Sequence, residues 1–394
     1  MSIKLSARVQ AVKPSPTLAI TARAKALRAS GKDVIGLGAG EPDFDTPDHI
    51  KEAAIKAIQS GFTKYTAVDG TPELKAAIVA KFQRDNGFEY APEQILVSCG
   101  GKQSFYNLAQ AILDPGDEVI IPAPYWVSYP DMALLAGGAP VLVHATADQD
   151  FKISPAQLKA AMTEQTRLAV INSPSNPTGM AYTGEELEAL GEVLREFPRA
   201  VIATDDMYEH IRWSDEPFVN ILNVCPDLEP RTLVLNGVSK AYSMTGWRIG
   251  YAGGPAEIIK AMKKIQSQST SNPTSISQVA AQAALEGPQD CIATMLKAFK
   301  ERHDYVVERL NSIPGVECLP TDGTFYVFPK VQGMIEQLGT VSNDLDLAEF
   351  LIERAGVALV PGSAFGLGGH VRISIATSRE NLEQALDRIE AVSA

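Results

Sequence analysis

Short segments rich in Val and Ile alternate along the chain with longer segments in which apolar residues recur at helical spacing. In the first half of the chain this alternation predicts strands at 34–37, 94–98, 118–121, 140–144, 168–172 and 201–204. It predicts helices at 18–29, 47–59, 71–85, 102–113, 127–136, 155–162 and 183–196. Strands that are apolar on both faces and alternate with helices are typical of a mostly parallel sheet covered by helices. The pattern therefore predicts the α/β class.

The pattern changes after Gly287-Pro288, which interrupts the helical spacing. Helices are predicted at 255–265 and 274–286 before this break, and a long helix at 290–311 follows it. Beyond that helix the pattern predicts strands at 316–319, 324–328, 357–360 and 370–376, and helices at 345–355 and from 379 onward. We therefore predict three parts: an N-terminal arm that forms part of a small domain (1–45), a large domain (46–289) and a smaller α+β C-terminal domain (290–394).

Composition narrows the classes of function. The formal net charge is −12, which disfavours binding to nucleic acid or to anionic membranes, so an anionic ligand must be held by local cations. The cysteines, Cys99, Cys225, Cys291 and Cys318, lack CxxC spacing, which indicates neither a metal site nor a disulfide framework. No stretch of 18 apolar residues and no signal-peptide pattern is present, so we expect a cytoplasmic protein.

Candidate functional residues follow the predicted strands. Mostly parallel sheets bind ligands beyond the carboxyl ends of their strands, and Gly100, Gly101, Tyr125, Trp126, Asn176, Asp205 and Lys240 fall there. Lys240 lies in an irregular turn between two further predicted strands, 232–235 and 248–252. A lysine amine is nucleophilic only when it is desolvated or lies beside another cation, and Arg248 could be that cation. A lone lysine in a turn is otherwise an ordinary solvated charge.

One glycine-rich segment could be mistaken for a dinucleotide-binding loop. Gly36, Gly38 and Gly40 follow a predicted strand, but Glu41 stands where that fingerprint requires glycine, and the next residues form a turn instead of a helix. A nicotinamide-dependent dehydrogenase is therefore disfavoured. The glycines could instead let the backbone approach a ligand closely, or form a plain tight turn.

Three motifs carry a resemblance to a known family. Ser239-Lys240 with Gly246-Trp247-Arg248-Ile249-Gly250 resembles the lysine segment of fold type I pyridoxal 5'-phosphate (PLP) enzymes, and within them the class I aminotransferases. The segments Asn172–Gly179 and Asp205–Tyr208 resemble two further motifs of this family. The resemblance extends from Leu5 to Ile389 and is greatest to the bacterial subgroup of aspartate aminotransferases.

The resemblance implies a PLP site. It implies that Lys240 holds the cofactor as a Schiff base, that Asp205 faces the pyridine nitrogen, and that Trp126 lies on the ring. Tyr208 and Asn176 are implied to donate to the phenolic oxygen, so Lys240, Asp205 and Tyr208 are the catalytic candidates. The cofactor's phosphate is implied to bind near the following residues: Gly101, Lys102, Ser239 and Arg248. Gly237 departs from the family pattern, in which serine is common at that position.

The resemblance also implies a homodimer with shared sites, because Tyr65 matches a tyrosine that reaches the phosphate of the neighbouring subunit. On the substrate side it implies that Arg372 binds the α-carboxylate, beside Gly40, Trp126 and Asn176. It places the following residues near the pocket mouth: Lys13, Ser15, Thr17 and Lys102. Tight turns with proline predict cis peptide bonds at Asn176–Pro177 and Ala123–Pro124.

The reaction implied is ping-pong transamination between an L-amino acid, aspartate by the closest resemblance, and 2-oxoglutarate. Some relatives with this pattern also transaminate prephenate and use the lysine that Lys13 matches. An aromatic or alanine aminotransferase and a PLP-dependent lyase stay open as alternatives. A PLP-sensing transcription regulator would need a basic helix-turn-helix segment, which the pattern does not contain.

Overall fold

The computed structural model of the protein describes residues 3–14, 16–214 and 216–393. The α-helices of this part are α1 Ala7–Ala11, α2 Pro16–Ala29, α3 Asp48–Gln59, α4 Pro72–Lys81, α5 Gly101–Ile112, α6 Tyr129–Leu135, α7 Pro155–Ala161, α8 Gly184–Arg195, α9 Ile221–Val224, α10 Ala256–Ser267, α11 Ser275–Glu286, α12 Asp290–Asn311, α13 Gln332–Leu338, α14 Asp344–Phe350 and α15 Arg379–Ser393. No helix within these ranges is long and apolar enough to cross a lipid bilayer.

The strands are short and mostly buried. They are β1 Ile35–Gly36, β2 Ile95–Ser98, β3 Glu118–Ala123, β4 Ala139–His144, β5 Thr166–Asn172, β6 Val201–Asp205, β7 Thr232–Gly237, β8 Gly250–Gly253, β9 Tyr326–Val327, β10 Val357–Ala358, β11 Val360–Pro361 and β12 Val371–Ser374.

A seven-stranded sheet organises the fold, with the strand order β2-β8-β7-β6-β5-β3-β4. Strands β3 to β7 run parallel to one another, and β8 is antiparallel to both β2 and β7. Alternate residues of β6 enter different cores: Val201 and Ala203 pack on one face of the sheet, and Ile202 packs on the other. The predicted α/β fold with a mostly parallel sheet covered by helices is confirmed.

A separate core lies among α12, α15, β9 and β12, with Phe299 and Phe325 among its buried side chains. Strand β12 pairs with β11 and β9 in an antiparallel sheet, while β1 pairs with β10. The β1–β10 pairing joins the N-terminal segment to the C-terminal part of the chain. It therefore supports the grouping of 1–45 with 290–394, although the domain boundaries stay a prediction.

Several predicted elements are shorter than expected, each for a local reason. The helix predicted at 71–85 ends as α-helix at Lys81 and continues as a π-helical turn, Phe82–Asn86, before Gly87 at φ 73°. The strand predicted at 248–252 begins only at Gly250, because Arg248 has a left-handed φ of 55°. The strand predicted at 324–328 is reduced to β9, since Thr324 has φ 67°.

The strand predicted at 316–319 is wrong. Only a single bridge, Glu317 to Lys330, forms there. The Asn311 side chain takes the place of a neighbouring strand, because its amide accepts from Cys318 N at 2.9 Å and donates to Cys318 O at 2.9 Å. The helix predicted at 345–355 ends as α-helix at Phe350 and becomes a second π-helical turn.

Candidate active site

A cavity of about 420 Å³ lies beyond the carboxyl ends of β5, β6 and β7. It brings together most of the residues predicted from the motifs: Thr17, Gly40, Gly101, Lys102, Trp126, Asn176, Asp205, Tyr208, Ser239, Lys240, Arg248 and Arg372. Segments from sequence positions 17 to 372 therefore meet at one site. This is the position at which a mostly parallel sheet is expected to bind a ligand.

Lys240 follows β7 in an irregular turn and points into the cavity. Its amine donates to the backbone oxygen of Gly40 and lies 6.0 Å from the centre of the Tyr208 ring and 5.7 Å from that of Phe325. Burial lowers the pKa of Lys240 to about 8, and the positive charge of Arg372 acts in the same direction. Because the neutral amine is the nucleophile, this environment makes Lys240 far more reactive than a solvated lysine near neutral pH.

Asp205 is the last residue of β6, and its carboxylate is held by groups on both sides. Oδ2 accepts a hydrogen bond from Tyr129 Oη at 2.5 Å, and Oδ1 accepts from the backbone N–H of Met207 at 3.3 Å. Asn172 Nδ2 donates to the Asp205 backbone oxygen at 2.9 Å. Burial raises the pKa of the Asp205 carboxyl, and the bond from Tyr129 acts in the opposite direction.

Arg372 on β12 is a buried guanidinium whose hydrogen bonds go only to neutral oxygens. Nη1 donates to Asn176 Oδ1 at 2.9 Å and Nη2 donates to Gly38 O at 2.8 Å. Its Nε–H is buried without a partner in the described part of the chain, and no carboxylate of that part pairs with it. Since a buried cation without a counter-ion is costly, the arrangement favours binding of an anion.

The start of α5 forms a second positive region. Gly100 precedes the helix at φ 90°, and a Cβ there would lie 2.3 Å from Arg248 Nη2. A Cβ on Gly250 would lie 2.2 Å from the Gly101 nitrogen. Glycine at both positions therefore lets the guanidinium and the helix N-terminus approach each other, which suits a phosphate.

Lys102 adds to this positive region. Its amine lies 5.2 Å from the centre of the Trp126 ring. Burial lowers the pKa of Lys102, and Arg248 acts in the same direction. Neither Lys102 nor Arg248 has an ion-pair partner among the residues the structure describes. Both cations are therefore available to a ligand.

Four of the described candidate residues lie outside the cavity lining, and two of them, Gly100 and Tyr125, immediately precede residues that line it. Lys13 is exposed and Tyr65 is 92% exposed, so this subunit alone does not bring either into the cavity. Ser15 falls outside the described residues. The peptide bonds at Asn176–Pro177 and Ala123–Pro124 are cis, as predicted, and a third cis bond occurs at Ser173–Pro174.

Sequence reasoning missed two tyrosines that belong to the site. Tyr129 contacts Asp205, and Tyr326 lines the cavity beside Tyr208 and Arg372. Tyr326 lies in the apolar run 325–328 and Tyr129 lies at the start of a helix, and at either place a tyrosine resembles an ordinary core aromatic. The available signal was the phenolic hydroxyl itself, because a buried hydroxyl needs a polar partner.

Behind the site, Asp85, Glu209 and His210 lie close enough to suggest a metal site. Lys81 is fully buried there and forms an ion pair with Glu209, so the negative charge already has a counter-ion. Asn236 at the end of β7 also donates to Glu209, at 2.7 Å. The group is thus better explained as a structural network that supports the turn before Lys240.

Comparison with known proteins agrees with this geometry. Residues 32–389 match the family Aminotransferase class I and II. The chain belongs to this family. The aspartate/prephenate aminotransferase of Nitrosomonas europaea is 61% identical to this aminotransferase over 395 residues, which cover 99% of this chain and 100% of the relative.

Solved structures of aspartate aminotransferases share the fold of this aminotransferase. The enzyme of Rhizobium meliloti has a TM-score of 0.96 at 50% identity, covering 100% of this chain and 99% of that one. The enzyme of Thermus thermophilus, solved with maleate, has a TM-score of 0.93 at 44% identity, covering 99% and 100%.

Class I aminotransferases of this type use PLP as cofactor. The functional groups that line the cavity fit such a molecule. A lysine of lowered pKa is available for the aldehyde, a buried carboxylate for the ring nitrogen, and the α5 start with Arg248 for the phosphate. The unpartnered Nε–H of Arg372 leaves a separate anion site for a substrate.

Proposed function

We propose that this aminotransferase moves the amino group of L-aspartate to 2-oxoglutarate in a ping-pong cycle, with both substrates using one site. The observation that carries the proposal is the meeting of Lys240 and Arg372 in one cavity, each without a carboxylate partner in the described ranges. One amine and one carboxylate receptor are what recognition of an α-amino acid requires. The names of the relatives support aspartate as the donor.

The proposed roles for the cofactor follow the geometry. Lys240 would hold PLP, Asp205 would face its ring nitrogen, and Tyr208 with Asn176 would face its phenolic oxygen. Trp126 would lie on the ring. The phosphate would bind among these groups: Gly101, Lys102, Ser239, Arg248 and, from a neighbouring subunit, Tyr65. Because Tyr65 is 92% exposed here, we propose a homodimer in which this side chain completes the site of the partner.

Bound PLP supplies an electron-accepting ring to the carbon that loses its proton. The chain supplies the remaining chemistry. Arg372 holds the α-carboxylate, and the Nζ of Lys240 takes the α-proton and delivers it again. Asp205, whose charge is stabilised by Tyr129, keeps a negative charge at the far end of the site. The neutral amine at Lys240 is needed for this, and its pKa of about 8 makes the neutral form far more accessible near neutral pH than it is for a solvated lysine.

For the side-chain carboxylate of aspartate we propose Lys102, with Lys13 and Thr17 near the mouth of the cavity. Thr17 lines the cavity, and its buried Oγ1 has no partner among the described residues. The same positive region would suit prephenate, which also carries two carboxylates, and the name of the Nitrosomonas europaea relative supports this second substrate. The cytoplasm stays the proposed location.

The proposal is tested by mixing the PLP-loaded enzyme with each amino acid in turn and following the half-reaction by absorbance. We expect aspartate and glutamate to react at least ~10-fold faster than phenylalanine or alanine, which is a difference of about 1.4 kcal/mol. With the enzyme saturated with PLP, Lys102→Met should reduce the rate with aspartate far more than the rate with phenylalanine. A preference for phenylalanine or alanine would favour the aromatic or alanine alternative, and loss of the side chain instead of transamination would favour a lyase.

A further inference from the structure

Tyr326 is a fully buried tyrosine that the proposed reaction does not use. It lies on β9, where it is 0% exposed, and its hydroxyl reaches the edge of the cavity. Its Oη lies 3.0 Å from Oη of Tyr208. The two hydroxyls therefore share a hydrogen bond, and either could be the donor.

Tyr326 also contacts two other parts of the site. The Arg372 guanidinium lies over its ring, with Cζ 4.3 Å from the ring centre. A Cβ on Gly40 would lie 3.0 Å from the Tyr326 hydroxyl, so the backbone that accepts the hydrogen bond of Lys240 passes close by. One phenol thus contacts the carboxylate receptor, the Gly40 segment and Tyr208.

The surroundings of the two hydroxyls favour one of them, Tyr326 or Tyr208, as the donor of their shared hydrogen bond. A phenol has one proton to donate and lone pairs to accept. If Tyr208 gave its proton to Tyr326, it could not also donate into the cavity beside Lys240. Burial raises the pKa of both phenols, and the charge of Arg372 opposes that rise at both, but it weighs more at Tyr326, because the guanidinium lies over that ring. The more acidic neutral phenol is the better donor, so Tyr326 donates and Tyr208 accepts.

Resting on the proposed function, we propose that Tyr326 is a positioning residue that donates to Tyr208 and so directs the Tyr208 proton toward the phenolic oxygen of bound PLP. Its ring also supports the plane of the Arg372 guanidinium. Two hydrogen bonds in series strengthen each other in a buried site. Loss of the Tyr326 hydroxyl should therefore weaken the donation by Tyr208, although Tyr208 itself stays in place.

The test is a pH titration of the visible absorbance of the PLP-loaded enzyme, which reports the protonation of the group formed at Lys240. A donor at the phenolic oxygen lowers that pKa, so Tyr326→Phe should raise it by ~0.5–1 unit, the effect of one lost hydrogen bond. Tyr208→Phe should raise it further. Tyr182→Phe, which removes a buried phenol outside the cavity, should leave it unchanged within about 0.2 unit, below the effect of one hydrogen bond.

Steady-state kinetics separate the two contributions of the side chain. Tyr326→Phe keeps the ring beneath Arg372, so kcat should fall several-fold with little change in KM for the amino acid. Tyr326→Leu removes the ring as well and should raise KM. Unfolding temperatures of the cofactor-free proteins check that each variant folds.

The outcomes distinguish this inference from the proposed function. A pKa unchanged in Tyr326→Phe but raised in Tyr208→Phe would overturn the role of Tyr326 and leave the aminotransferase proposal standing. A lowered pKa in Tyr326→Phe would show that Tyr208 donates to Tyr326, which also overturns the inference. A wild-type enzyme that binds PLP with no titratable visible band would overturn both.

Discussion

The phenol of Tyr129 donates a 2.5 Å hydrogen bond to Oδ2 of Asp205, the carboxylate that ends β6. This bond opposes the rise in the Asp205 pKa that burial causes. Tyr129→Phe should raise that pKa further, and because Asp205 must be ionised, the acid limb of the kcat/KM profile should move to higher pH. We also expect kcat to fall ~3–10-fold at neutral pH. The free energy that corresponds to this fall is smaller than the full contribution of a hydrogen bond to a charged group.

Tyr90→Phe is the matched control for this change. The Tyr90 hydroxyl is buried without a partner in the described chain, so its removal should not shift the profile. An acid limb that stays in place in Tyr129→Phe would show that Tyr129 does not influence the ionisation of Asp205.

Gly100→Ala should weaken cofactor binding. The added Cβ would lie 2.3 Å from Arg248 Nη2, which forces the guanidinium away from the start of α5, and the φ of 90° is strained for alanine. Gly61→Ala separates the backbone strain from the clash with Arg248. Gly61 also has a positive φ, 76°, but an added Cβ there would have nothing within 4 Å. Both variants should lose stability, by ~1 kcal/mol from strain alone. Equilibrium dialysis should show at least ~10-fold weaker PLP binding for Gly100→Ala, as expected when about 1.4 kcal/mol of phosphate contact is lost. Equal affinity in the two variants would contradict the phosphate site.

Arg372→Lys should not restore substrate binding, although it keeps the charge. The planar guanidinium donates to Asn176 and to Gly38 and still has Nε–H free, a geometry that an ammonium cannot reproduce. We expect the dissociation constant for maleate, an unreactive dicarboxylate, to rise at least ~30-fold by calorimetry, which is about 2 kcal/mol. Arg388→Lys, at an exposed pair with Asp33, is the control. Tight maleate binding by Arg372→Lys would place the carboxylate elsewhere.

The buried amine of Lys240 should destabilise the cofactor-free protein, and the size of this effect should depend on pH. Its pKa is about 8 in the fold, compared with 10.5 for a free lysine, so below pH 8 the folded protein keeps a charge that burial disfavours. Between pH 8 and 10.5 the amine is neutral in the folded state but still protonated in the unfolded state, so stability rises with pH. The destabilisation has disappeared once the pH exceeds 10.5. Because the amine faces an open cavity, we expect Lys240→Met to raise stability by ~1–2 kcal/mol at pH 7 and by less at pH 10. A gain that is the same at both pH values would show that the lysine is not desolvated.

The sequence predicted the sheet and the cavity because both depend on local patterns. Buried strands such as β6 begin with a run of apolar residues, Val201 to Ala203, and the polar residues at their carboxyl ends share one edge of the sheet. Tyr129 and Tyr326 were missed because their roles depend on distant partners, at positions 205 and 208. The strand at 316–319 was predicted wrongly for a similar reason. The side chain of Asn311, which lies outside that segment, forms the hydrogen bonds with its backbone that a neighbouring strand would form.

The central claim is that the amine of Lys240 is the group that holds the aldehyde of PLP. It is tested most directly by reducing the PLP-loaded enzyme with borohydride, digesting it and locating the added mass by mass spectrometry. We predict that the pyridoxyl group is found on Lys240 alone and that Lys240→Ala, at the same PLP concentration, carries none there. A pyridoxyl group on Lys102 or another lysine instead, or no modification of the wild-type enzyme, would contradict the account.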